Sequence, residues 1–361
     1  MPVKGSLRKI LAVDIGAGTQ DILLYDEGET PENCISMILP APTRRYVQQI
    51  ERCNHDLFIS GDAIGGGDIA SALIRHRDKG FRVMMSEDAA FTLRNSLDQV
   101  RAFGIDIEVG GQPSCSNVQP GSMHLCEFDW SYVKQFLSYF GESGDIDCVA
   151  VAVQDHGVPP EPASNRAFRF KMIEQHLKGV GSLEGFAYAL DTIPPCFKRM
   201  KAVATAAQHQ CGCPVVAMDT CFAAILGCLE DRRSSIVVNV GNSHTIAAMV
   251  TGGTLSGLME HHTSCLTTEK LDTLLERFIQ GNITSEEVLN DGGHGAAILD
   301  AGGFDTTQPI MVTGPRRKLL QKSRLHVQCA APHGNMMLTG PFGLVKGACH
   351  VLYPDSQRVP C

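Results

Sequence analysis

Apolar runs of three to seven residues, bounded by Gly, Pro, Asn or Asp, alternate along this chain with longer segments of mixed polarity. The short runs predict strands over residues 9–15, 22–25, 34–39, 57–60, 82–85, 148–153, 215–217, 236–240, 245–250 and 310–312. The longer segments predict helices over 69–79, 89–103, 165–177, 197–210, 220–229, 268–279 and 343–352. Strands and helices mixed in this way predict an α/β architecture. Two stretches rich in Gly, Pro, Ser or Asn, 110–121 and 158–162, read as exposed loops.

One pattern occurs twice. Ile10-Leu11-Ala12-Val13-Asp14-Ile15-Gly16-Ala17-Gly18-Thr19 aligns without a gap on Ser235-Ile236-Val237-Val238-Asn239-Val240-Gly241-Asn242-Ser243-His244 when displaced by 225 positions. Both copies read as apolar strand, Asp or Asn, one apolar residue, Gly, a short polar turn and a second strand. An offset this long is no solenoid repeat. With 361 residues, it predicts two similarly built domains, over 1–195 and 196–361.

The first glycine turn, Gly16-Ala17-Gly18-Thr19, superficially resembles a dinucleotide fingerprint. Position 21 is Asp, however, and residues 22–25 continue as strand, whereas the Rossmann and Walker motifs need a helix start there. What remains is a hairpin whose small turn residues let backbone N–H groups approach an anion. Asp14, at the end of the first strand, would stand beside such an anion and hold Mg2+ directly or through water. An ordinary glycine turn with Asp14 as its cap is the competing reading.

Charge and cysteine content narrow the function. Acidic residues outnumber basic ones 39 to 31, so the electrostatic footprint of a nucleic-acid binder is missing. The first apolar run meets Asp14 after four residues, too short for a signal peptide or a membrane span. The expectation is a cytoplasmic protein without membrane contact, whose 14 cysteines are mostly reduced thiols. No C-x-x-C pair occurs. His209, Cys211 and Cys213 form the best metal-like spacing, with no close fourth ligand, and His261, His262 and Cys265 form a weaker one. The 13 methionines read as core filler.

Two glycine hairpins, each preceded by a short polar or acidic residue, resemble the superfamily of actin, the heat-shock chaperones and the sugar kinases. The resemblance implies two ribonuclease-H-like domains with a nucleotide cleft between them. It implies that Asp14, Gly16, Gly18, Thr19, Gly241, Asn242 and Ser243 surround the phosphates of ATP, with Mg2+ beside Asp14. Asn239 stands where an Asp is frequent, and would hold Mg2+ through water. Three further segments fall in the superfamily's order. Asp147 to Gly157 resembles the inter-domain connection in which a Gln or Glu orients attacking water, implicating Gln154 and Asp155. Met311-Val312-Thr313-Gly314-Pro315-Arg316 resembles the adenosine motif, a strand followed by a Gly turn and a helix, with Thr313, Gly314 and Arg316 at the nucleoside. Gly340 to Ala348 resembles the closing Gly-Ala helix.

Asp219 begins Asp219-Thr220-Cys221-Phe222-Ala223-Ala224-Ile225-Leu226-Gly227, which resembles the D-x-x-A-A-x-x-G stretch of carbohydrate kinases, whose Asp takes the proton from the acceptor hydroxyl. A helix cap at Asp219 is the competing reading. The chain also looks like a family labelled "putative pyruvate formate-lyase activating enzyme". That label implies radical S-adenosylmethionine chemistry, which needs C-x-x-x-C-x-x-C, a spacing this sequence lacks. Superfamily members do include ATP-driven activators of other enzymes. Three functions therefore stand open: an ATPase whose domain motion acts on a partner enzyme, a small-molecule kinase using Asp219, and a non-catalytic nucleotide sensor. A homodimer is compatible with each.

Overall fold

The computed structural model describes residues 9–108, 121–159, 165–179, 181–229 and 234–354. Most of the predicted loops at 110–121 and 158–162 therefore lie outside the described residues. The chain opens with an antiparallel meander, β1 (Lys9–Ile15), β2 (Thr19–Asp26) and β3 (Ile35–Pro40). An inserted unit comes next, a parallel sheet of β4 (Leu57–Gly61), β5 (Val83–Ser86), β6 (Asp106–Glu108) and β7 (Ser122–Leu125) in the order β6-β5-β4-β7. The chain then returns to the first sheet with β8 (Cys148–Val153), β9 (Ala187–Ala189) and β10 (Val215–Met218), giving the order β3-β2-β1-β8-β10-β9.

The second six-stranded sheet contains β11 (Ser235–Val240), β12 (His244–Thr251), β13 (Thr254–His262), β14 (Gly295–Ile298), β15 (Ile310–Thr313) and β16 (Val327–Cys329), in the order β14-β13-β12-β11-β15-β16. In both sheets an antiparallel three-strand meander is extended by two parallel strands on the side of its first strand. This repeated 3-2-1-4-5 order defines two ribonuclease-H-like lobes, the actin-like ATPase fold.

Burial explains the strand sequences. β8 is buried at all six positions, as a central parallel strand covered on both faces must be, so it reads as one apolar run. In β1, Ile10 and Ala12 face one core while Leu11, Val13 and Ile15 face another. That second core is closed by Trp130 and by helix Lys198–Cys211. Between the lobes, helices Thr220–Cys228 and Thr339–Leu352 lie in a core shared by both sheets. Gly227 and Gly343 let these helices cross in close contact: a Cβ on Gly343 would press into the Ala223 carbonyl and lie 2.9 Å from Gly227 N.

Two predicted features differ. The predicted helix 89–103 is split into Glu87–Ala90 and Leu97–Arg101, because Thr92 and Asn95 turn their side chains outward to backbone groups, Ile64 N at 3.0 Å and Gly157 O at 2.7 Å. The predicted boundary at 195/196 also moves. Helix Lys198–Cys211 and β10 lie beyond it yet complete the first sheet, through pairing of β10 with β8, so the first sheet ends only after β10. Among the described residues no helix is long and apolar enough to cross a membrane.

Candidate functional site

The two repeated segments fold into matching hairpins. Ile15 pairs with Gln20, and the Gly16 N–H donates to the Thr19 carbonyl at 2.9 Å. Val240 pairs with Thr245, and the Gly241 N–H donates to the His244 carbonyl at 2.9 Å. The two turns face each other across the groove between the lobes, where a Cβ on Gly18 would collide with the Asn242 amide. The groove is a cavity of about 1020 Å3, lined by Asp14, Gly16, Thr19, Asn239, Gly241, Asn242, Ser243 and Gly314 among others. Ligand cavities commonly reach ~1,000 Å3. The inserted unit supplies a further wall, including Gly65, Gly66 and Gly67.

Asp14 is buried, with Oδ1 lacking a hydrogen-bond partner, and its Cγ is 2.7 Å from the place a Gly340 Cβ would occupy. Burial first and the neighbouring Asp21 second push its carboxyl up to about 8. Asp21 sits directly opposite Asp14 in the hairpin register, also has an unpartnered Oδ1, and is raised by burial to about 6. Like charges directly opposite on paired strands repel. Two such carboxylates with free oxygens facing a polar cavity form a donor set that fits a hard divalent cation. The sequence reading missed Asp21, although hairpin pairing across a four-residue turn sets 21 opposite 14.

Asp219 is the centre of a buried ionic network. It caps helix Thr220–Cys228 by accepting from Cys221 N at 3.1 Å, and receives Arg169 Nη1 at 2.6 Å and Nη2 at 3.1 Å. Burial alone would raise its pKa, but the Arg169 guanidinium pulls it down to about 2. Arg169 also donates Nε to Glu260 Oε2 at 2.8 Å, and Glu260 Oε1 accepts Gln154 Nε2 at 2.9 Å. This network ties β8 and helix Asn165–Gly179 of the first lobe to β13 of the second. Gln154 lines the cavity. Asp155 uses both carboxylate oxygens locally, accepting from Gly157 N at 2.8 Å and Met200 N at 3.0 Å.

The segment after β15 departs from the expected strand, turn and helix. Gly314 is at φ +97°, where a Cβ would fall 2.6 Å from Asn239 Oδ1, and the chain continues into the short 3-10 turn Arg317–Leu320. Thr313 is buried and bonded to Thr339 at 3.1 Å, while Arg316 is exposed. Gly314 and Pro315 reach the cavity. Around His209, burial pushes the Cys211 thiol up to about 12 and raises Cys213, leaving both as protonated thiols rather than ready ligands. His261 is bound outward to Asp291 at 3.0 Å.

A cluster the sequence reading did not contain lies at the base of the same groove. His156 comes after β8, His244 opens β12, and His294 precedes β14; their ligating atoms all lie within 4.8 Å of one another. Ring centroids are 5.0 Å apart for His156 and His294, and 4.7 Å for His244 and His294. His262 flanks the set at 4.8 Å from both His244 and His294. Burial is the leading cause that lowers His156 to about 3, His244 to about 4 and His294 to about 2, so all three rings are neutral at pH 7. No linear spacing relates 156, 244 and 294, and only the fold assembles them.

The strand orders and the facing hairpins define a two-lobed protein of the actin-like ATPase fold. The chain belongs to the family described as "Putative pyruvate format-lyase activating enzyme (DUF1786)", matched over residues 64–319. No curated protein matches it by sequence. Among solved structures it is similar to the inorganic polyphosphate/ATP-glucomannokinase of Arthrobacter sp. strain KM, at 11% identity over 95% of this chain and 99% of that one, with a TM-score of 0.36. It is similar to MreB5 of Spiroplasma citri at 10% identity over 97% and 99% of the two chains, TM-score 0.34. A Bacteroides thetaiotaomicron protein of actin-like ATPase fold and unknown function gives 11% identity over 93% and 96%, TM-score 0.36.

Proposed function

We propose that this protein binds Mg-ATP in the groove between its lobes and hydrolyses it, the lobes moving to act on a partner protein. The observation that carries the reading is the pair of matching glycine hairpins facing each other, with Asp14 and Asp21 beside the first. The turns of Gly16, Gly18, Thr19, Gly241, Asn242 and Ser243 would surround the phosphates, the N–H groups of Gly18, Asn242 and Ser243 donating to phosphate oxygens while those of Gly16 and Gly241 stay in their hairpin bonds. Asp14, with Asp21 and the neutral Asn239, would hold Mg2+, which supplies charge neutralisation at the phosphates. Gln154, fixed by Glu260, would orient water at the groove's floor. Gly314 is the part of the adenosine segment best situated to meet a nucleoside, since Thr313 is sequestered and Arg316 faces solvent.

The kinase alternative asks Asp219 to accept a proton, and a carboxylate already bound by both Nη atoms of Arg169 is a poor base. Radical chemistry suggested by the family's description lacks its C-x-x-x-C-x-x-C spacing in this sequence. The test is ATP turnover by the wild type, Gln154→Ala and Asp219→Asn, each with and without a hydroxyl-bearing metabolite pool. Acceptor-independent phosphate release lost in Gln154→Ala is the expected result. Turnover that needs the metabolites refutes hydrolysis in favour of transfer, and binding without any turnover leaves a nucleotide sensor.

A further inference from the structure

The histidines at the base of the groove serve no purpose in the nucleotide reading. His244 Nε2 and both ring nitrogens of His294 are buried without a hydrogen-bond partner. Glu260 Oε2 stands 3.6 Å from His294 Nδ1, beyond hydrogen-bond range, and is held by the buried Arg169 guanidinium at 2.8 Å. A buried polar atom left unpaired costs stability, and both His244 and His294 carry one here. Core histidines that merely fill space are usually satisfied by a neighbour. These three instead point their nitrogens at one another.

We propose that His156, His244 and His294 bind one divalent transition-metal ion of the zinc class, with an open coordination position facing the groove. Imidazole suits Zn2+, Fe2+, Ni2+ and Cu2+, whereas Mg2+ prefers oxygen, so this ion is distinct from the one beside Asp14. Three protein ligands with a free fourth position is the pattern of reactive rather than structural zinc sites. Zn–N bonds of about 2.0–2.1 Å put tetrahedral ligand atoms roughly 3.4 Å apart. The atoms here lie within 4.8 Å before any ion draws them in, so side-chain motion on the order of 1 Å completes the site. Glu260 is set to accept from the metal-distal nitrogen of His294 after that small movement, orienting the ring.

The site spans the lobes, with His156 from the first and His244 and His294 from the second. His244 is also the last residue of the second glycine turn, whose carbonyl accepts from Gly241 N. An ion here therefore joins the lobes and fixes that turn, and its open position is the place for water or a phosphate oxygen.

The test uses the full chain without nucleotide, stripped by a chelator and titrated with Co2+ alone. One Co2+ per chain, a visible ligand-field band and displacement by Zn2+ are expected. His244→Ala and His294→Ala, checked for folding by circular dichroism, should each weaken binding by more than the 10–100-fold that loss of an outer-shell partner costs. His326→Ala, on the exposed surface, should bind as the wild type does. X-ray absorption at the zinc edge of the loaded wild type should count three imidazole nitrogens, independently of any variant. Failure of the wild type to bind either ion saturably, unchanged binding in folded His244→Ala and His294→Ala, or an edge spectrum dominated by sulfur would overturn the proposal.

Discussion

Replacing Gly343 with alanine perturbs the closest approach between the two helices at the lobe interface. The added methyl would meet the Ala223 carbonyl head-on and stand 2.9 Å from Gly227 N, against an ordinary separation of about 3.5 Å. Both obstacles are backbone, so neither can rotate away, and the helices must part by on the order of 1 Å. Phe342, Leu344, Val345 and Ala348 on one helix and Phe222, Ala223 and Leu226 on the other then lose packing in the shared core. Overpacking of this kind costs about 1–3 kcal/mol, and rigid neighbours put this case at the upper end. Alanine's better helix propensity returns about 1 kcal/mol. The expected net loss is about 2 kcal/mol, read in urea denaturation as a lowered midpoint at unchanged slope. Gly347→Ala is the control. Its methyl would meet the flexible Met218 side chain, with Sδ at 2.5 Å, and the Ala187 Cβ at 3.2 Å, but no backbone atom, so the propensity gain largely offsets the contact. A methyl on Gly227 would likewise collide with the Thr339 carbonyl, so the Gly227→Ala/Gly343→Ala pair should cost less than the sum of its singles, the first substitution having already parted the helices. A Gly343→Ala chain as stable as Gly347→Ala would refute the reasoning.

The groove and its ionic network yield further expected outcomes. Arg169→Met strands the buried Asp219 and Glu260 carboxylates and should cost about 3–5 kcal/mol by urea denaturation at pH 7. Because Asp219 is held at about 2, below its ordinary 3.8, it stabilises the fold above pH 4 by about 2 kcal/mol and that contribution fades as pH falls from 4 to 2; in Arg169→Met this part of the acid-unfolding profile should flatten. Asp14, raised to about 8, must take up a proton on folding at pH 7, so Asp14→Asn, neutral in both states, should raise the melting temperature of the free protein. The same variant should abolish the stabilisation by Mg-ATP, about 2.7 kcal/mol at 100 times the dissociation constant, in a thermal-shift assay. Gly314→Ala forces a methyl into a left-handed backbone against Val240 and should lose about 2 kcal/mol or more of folding stability.

How much of the fold and the groove was legible in the sequence depended on whether the signal was local. Strand β8 announces itself because burial on both faces demands an unbroken apolar run, and β11 is legible from the buried Ile236, Val237 and Val238. The two hairpins were visible because the same turn chemistry appears twice at one offset. The boundary at 195/196 was misplaced because no local feature tells that β10 pairs back with β8. The break in helix 89–103 depended on Thr92 and Asn95 finding distant backbone partners. Nothing in their local sequence marks Arg169 and Glu260 as buried partners, and only the fold brings helix Asn165–Gly179 against β13. His156, His244 and His294 come from three separate segments and share no spacing, so a reading along the chain passes over them.

Helix Thr339–Leu352 leaves the second lobe and lies against β1, β8 and β10 of the first, where it covers the face bearing Ile10, Ala12, Ala150 and Val216. During synthesis, strand β1 emerges more than 300 residues before that helix, a delay of tens of seconds at about 5–20 residues per second. The first lobe cannot reach its final form while the ribosome is still making the second. Its inner face must wait, apolar and open to water, which makes the nascent chain a demanding client for chaperones. A release of the chain short of residue 339 would leave two incomplete lobes rather than one finished lobe and one missing.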